Sequence, residues 1–89
     1  MGKKAWEDII MSDTDDIPGK KIVKTIDKVK IKHDATDFKK HAKWAFNAPN
    51  KLKKIAYKLG ANAITNVKFT YRGNDNVYDG TAVIVEDED

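Results

Sequence analysis

The 89-residue sequence predicts an α+β domain: an antiparallel sheet of about four strands, with one or two helices inserted between the second and third (β-β-α-α-β-β). Three observations carry this. Residues 51–60 hold Leu52, Ile55, Ala56 and Leu59 at the i, i+3, i+4, i+7 spacing of one helix face, with Gly60 at the C-cap position. From Ala61 the apolar period falls from 3.6 to 2, and the turn formers at 73–76 separate two such runs, as in a hairpin. Residues 21–32 are rich in β-branched side chains, with Val29 and Ile31 alternating with Lys28, Lys30 and Lys32.

Taken in order, residues 6–11 read as a short strand that enters a polar turn at 12–16. Pro18-Gly19 suits the central positions of a type II turn. Ile22 and Ile26 lie out of phase with Val29 and Ile31, which predicts a bulge near Asp27. A first helix is expected after His33, with Phe38, Ala42 and Ala45 on one face. Pro49 fits the first turn of a second helix better than a helix interior. Ala61, Ala63, Thr65, Val67, Phe69 and Tyr71 share one phase of the following strand, and Ile64 alone is large and apolar in the other. The last strand, 77–85, is apolar on both phases near its end, which predicts burial on both faces. Residues 1–85 thus form a single domain, and 86–89 an acidic, disordered tail.

Composition narrows the function. There is no cysteine, so disulfides and thiolate metal sites are excluded. No apolar run is long enough for a signal peptide or a membrane span, and a cytoplasmic protein without membrane insertion is expected. Charge is segmented. Residues 1–19 hold two Lys against five acidic residues, 20–58 hold thirteen Lys against three Asp, and 59–89 hold one Lys and one Arg against six acidic residues. The basic middle reads either as a solvated surface balanced by the acidic ends or as a polyanion footprint. Only one of seventeen basic residues is Arg, the side chain that makes bidentate phosphate and guanine contacts, so nucleic acid is a possible partner but not the favoured one.

The strings Leu59-Gly60-Ala61-Asn62-Ala63-Ile64, Val67-Lys68-Phe69 and Gly80-Thr81-Ala82-Val83-Ile84-Val85 resemble the YbjQ-like family of uncharacterised small α+β proteins, which carries a heavy-metal-binding label. Ile10 to Gly19 and the strand at Ile22-Val23 look like that family's opening. The resemblance implies a compact protomer that closes into a ring-like homo-oligomer, a pentamer, with no established catalysis. Small residues at Ala61, Ala63, Gly80 and Ala82, together with Ile84, are the expected sites of close packing, including packing on a second subunit.

Residue chemistry points away from an enzyme. Ser12 is the only serine, and no base is placed beside it in sequence. The Asp13, Asp15, Asp16 run lacks the glycine and the distal Glu of a calcium loop. Gly19-Lys20-Lys21 lacks the remainder of a phosphate loop, and no cofactor is implied. His33 and His41, with Asp34 and Asp37, are the candidate divalent-metal ligands; the alternative is an exposed histidine at a helix start and another on a helix flank. Lys39, Lys43, Lys54 and Lys58, in the helical region 39–58, are the candidate polyanion site.

Overall fold

A computed structural model describes residues 5–34, 38–73 and 75–88; the side chains at 34, 38–43, 45, 46 and 72 lie outside that description. A short 3-10 turn, Ala5–Asp8, precedes β1 (Ile10–Met11) and β2 (Lys20–Asp34). The helix α1 (Phe38–Lys58) follows, and then β3 (Ala63–Arg72) and β4 (Asp75–Asp87). The sheet order is β1-β3-β4-β2. Both β2–β4 and β3–β4 pair antiparallel, as the hairpin pattern requires. The two-residue β1 instead pairs parallel with β3, which makes the sheet mixed. A strand of two residues displays no period, so its direction had no signature in the sequence.

The helix is one element, not two, and Pro49 lies inside it. The inward stripe explains why. Trp44, Ala48, Leu52 and Ala56 are all buried and recur every fourth residue, so the apolar face passes Pro49 without a change of phase. Packing that face on the sheet outweighs the backbone hydrogen bond Pro49 cannot donate. Pro49→Ala is therefore expected to stabilise the domain by about 1–3 kcal/mol, read as a higher urea midpoint with an unchanged m-value. Past Lys58 the helix closes in a Schellman motif. The Ala61 N–H donates to the Ala56 carbonyl and the Gly60 N–H to the Tyr57 carbonyl, both at 3.0 Å. Gly60 sits at φ 90°, where a side chain would be strained.

The main core lies between helix and sheet: Ile9, Val29, Leu52, Ala56, Ala61, Ile64 and Ala82. A second, smaller cluster of Ile17, Ala63, Val83 and Val85, with Ile10 against it, covers the opposite face at one end. Val83 and Val85 at the doubly apolar end of β4 are thus covered inside the chain, by its own 10–17 segment, while Ile84 stays half-exposed. That segment is self-bonded. The Ser12 hydroxyl donates to the Asp16 carbonyl at 2.7 Å, the Thr14 hydroxyl donates to the same oxygen at 3.0 Å, and the turn after it closes from Lys20 N–H to the Ile17 carbonyl. Asn62 fastens the hairpin from its side. Its amide accepts from the Val85 N–H at 2.8 Å and donates to the Val85 carbonyl at 2.9 Å, imitating a strand neighbour.

Three register shifts decide which side chains face which way. In β2 the extra residues are Val23 and Ile26, which places a bulge where the sequence predicted one and adds another. In β3 the shift falls between Thr65 and Lys68, with Asn66 at φ 53°. One extra residue exchanges the two faces of a strand. Before the shift Ile64 joins the helix-side core, and Ala63 the opposite cluster; after it Val67 takes the helix side. Ile64 therefore belonged to the helix-facing set all along. β4 also runs past the expected end of the domain: Glu86 and Asp87 pair with Lys21 and Lys20.

Candidate functional site

The sheet is covered by α1 on one face only, and toward the β3–β4 turn its other face is open. The bulge at Ile26 leaves Val29 and Ile31 packed toward the helix, so Lys28, Lys30 and Lys32 project from the open face. The bulge at Asn66 does the same for β3 and sends Lys68 and Thr70 to that face. These two strands flank β4. The result is a groove of about 700 Å³ lined by Lys28, Lys30, Lys32, Lys68, Thr70 and Asp79, with Asp75 at its rim. All four lysines are exposed. Asp79 is the register partner of both Lys30 and Lys68, so one carboxylate lies between two lysines on this face. Counting Asp75, the groove keeps a surplus of positive charge.

Two lysines at the start of β2 are matched by acidic residues of β4. Lys21 faces Glu86 across the strands, and Lys20 forms a salt bridge with Asp87. The Lys20 hydrogen bond and charge hold the Asp87 carboxyl below the usual range. Sequence position hides this arrangement, because the acidic C-terminal run and the start of the basic segment become neighbours only through the antiparallel register.

The residues singled out from sequence fare differently. His33 is stacked on Trp44, with ring centroids 5.1 Å apart and planes 17° from parallel. Trp44 in turn meets Phe69 at 5.8 Å. His33 thus belongs to an aromatic stack between helix and sheet. Asp37 and the side chains of Asp34 and His41 lie outside the described residues, and among those described no group of three or more His, Asp or Glu is placed to hold a metal. Of the helix lysines, Lys54 sits 4.9 Å from the Trp6 ring, a cation–π contact. Lys58 is exposed near the helix end, and the side chains of Lys39 and Lys43 are outside the description. Lys54 and Lys58 belong to the helix, on the other side of the sheet from the groove. Ala61, Ala63, Gly80 and Ala82 are buried within the protomer, and Ile84 alone of that set is half-exposed. Their smallness serves intramolecular packing.

Sequence reasoning missed the groove. The alternation of Lys28, Lys30 and Lys32 was visible, but its alignment with Lys68 depends on two bulges and on β4 lying between. Nucleophilic chemistry finds no support here either: the Ser12 hydroxyl is engaged by Thr14 and the Asp16 carbonyl. Burial pushes the Tyr78 phenol above its usual range, away from any acid–base role near neutrality. Among the described residues, no helix is long and apolar enough to cross a membrane.

No family model matches the sequence, and no curated protein matches it. The fold does have a counterpart among solved structures. A protein of unknown function from Pediococcus pentosaceus, assigned to the DUF74 family, superposes with a TM-score of 0.59 at 19% identity. The match covers 88% of this chain and 98% of that one. The chain therefore shares the α+β fold of that DUF74 protein, with the helix between the second and third strands.

Proposed function

We propose that this is a non-enzymatic domain that associates with copies of itself head to tail, through the two different edges of its sheet. The observation that carries this reading is the state of those edges. β2 is an edge strand of fifteen residues. On the other side, pairing to the 10–14 segment ends at Val67, and β3 continues to Arg72. Strand edges with open hydrogen-bonding groups invite another chain. Exposed apolar side chains sit on both: Ile22 and Val23 on β2, Phe69 and Tyr71 on β3. Charge favours unlike edges meeting. β2 carries six Lys, whereas Asp13, Asp15 and Asp16 are exposed in the segment flanking β3. Two β2 strands facing each other would oppose lysine to lysine.

Joining unlike patches is a heterologous interface, which closes into a ring when the rotation per subunit divides a full turn. A ring of five is the size implied by the YbjQ-like resemblance. The test uses two variants and light scattering. Wild type is expected at a multiple of 10.1 kDa at micromolar concentration. Val23→Lys spoils the β2 edge and Tyr71→Lys the β3 edge, and each variant alone is expected to be monomeric with an unchanged circular dichroism spectrum. Mixed, they retain one good edge of each kind and should form a two-subunit species and nothing larger. A monomeric wild type, or a mixture that stays monomeric, refutes the reading.

A further inference from the structure

We infer that the groove on the helix-free face of the sheet is a binding site for an extended acidic segment of another polypeptide. The lining fixes the ligand's charge: four exposed lysines from two strands against two aspartates. Spacing favours a polypeptide. Lys28, Lys30 and Lys32 stand two residues apart on one strand, a repeat of about 6.6–6.8 Å. Alternate side chains of an extended peptide repeat at the same distance, so acidic residues at every second position meet this row one for one. Lys68 reaches the ligand from the opposite wall, and the half-buried Thr70 and Thr81 offer hydroxyls to peptide groups along the floor.

The same lining argues against a nucleic-acid strand. Among the described residues no aromatic side chain lines the groove, and single-strand binding draws much of its affinity from bases stacked on aromatic rings. Phe69 is on the helix side, against Trp44. Among the described residues the cations that line it are lysines, point charges without the fork that suits bidentate phosphate contacts. Asp79 has a definite part. Placed between Lys30 and Lys68 in the register, its negative charge opposes that of the ligand, which keeps binding weak and exchangeable.

Fluorescence anisotropy of a labelled oligoglutamate peptide at low salt tests the site on the full chain. Lys28→Glu/Lys68→Glu should weaken binding by about tenfold or more, and added salt should weaken it in wild type. Asp79→Asn should strengthen it by about threefold, a gain that damage to the fold would not produce. Lys51→Glu/Lys58→Glu, with the same change in net charge on the helix, should leave affinity within about twofold. The inference falls if wild type does not bind the peptide, if the helix variant loses as much as the groove variant, or if an oligothymidylate of equal charge binds more tightly through Lys28 and Lys68. Failure of head-to-tail assembly itself leaves these binding outcomes unaffected.

Discussion

Gly80→Val is expected to prevent stable folding, and Gly80→Ala to cost about 1–3 kcal/mol in urea denaturation. Gly80 sits in β4 opposite the irregularity in β3. A Cβ added there would lie 2.6 Å from Ile64 Cγ2, 3.1 Å from the Thr65 carbonyl oxygen and 3.2 Å from Val67 Cγ2. The first distance is far inside van der Waals contact. Ile64 is fully buried and cannot swing out, and the second obstacle is backbone. The bulge at Asn66 creates this crowding, since it turns both Ile64 and Val67 toward the helix side across from Gly80. The clash is specific, so it can be tested by pairing. Ile64→Ala alone removes a fully buried side chain and should cost about 2–5 kcal/mol. Combined with Gly80→Ala, the total should fall short of the sum by about 1–2 kcal/mol, because the methyl in the way is gone. Simple additivity would mean that Ile64 is not what excludes a side chain at position 80.

The same residues show what the sequence could convey. The helix from 51 onward, its glycine stop, the type II turn at Pro18-Gly19 and the antiparallel hairpin were all legible, because each rests on local spacing or on one residue's backbone preference. Ile64 was legible only as an exception to a period. A bulge was the physical cause, but one out-of-phase residue does not say where the extra residue sits. Pro49 misled because its local preference is strong, whereas the stripe from Trp44 to Ala56 that overrides it has value only against a sheet. The small residues at 61, 63, 80 and 82 did predict close packing, and all four are buried within the protomer. The open groove was the least legible feature, since it needs Lys68 to lie across β4 from Lys30, and no local rule places residues 38 positions apart.

Leu52→Ala should have the second large effect, and it bears on assembly as well as on folding. Leu52 is fully buried at the centre of the helix–sheet core, among Ile9, Val29, Ala56 and Ile64. The buried cluster it belongs to includes three alanines and one valine, which have little reach to fill the space it leaves. A loss of about 2–5 kcal/mol follows from the removed apolar volume and the residual cavity. For a domain of this length the total stability is on the order of 4–13 kcal/mol, so the variant forfeits a large share of it. Thermal unfolding followed by circular dichroism should show the midpoint falling by roughly 10–30 °C. Leu52→Met, which keeps the volume, should cost under about 1.5 kcal/mol. Concentration then separates two situations. If subunits associate through the β2 and β3 edges, the folded state is favoured by mass action, and the Leu52→Ala midpoint should climb as protein concentration rises. The Val23→Lys/Leu52→Ala double variant lacks one edge and is monomeric but has the same cavity, so its midpoint should not depend on concentration. A Leu52→Ala midpoint that stays fixed across concentrations would mean that the domain holds its fold alone and that its open edges are not subunit contacts.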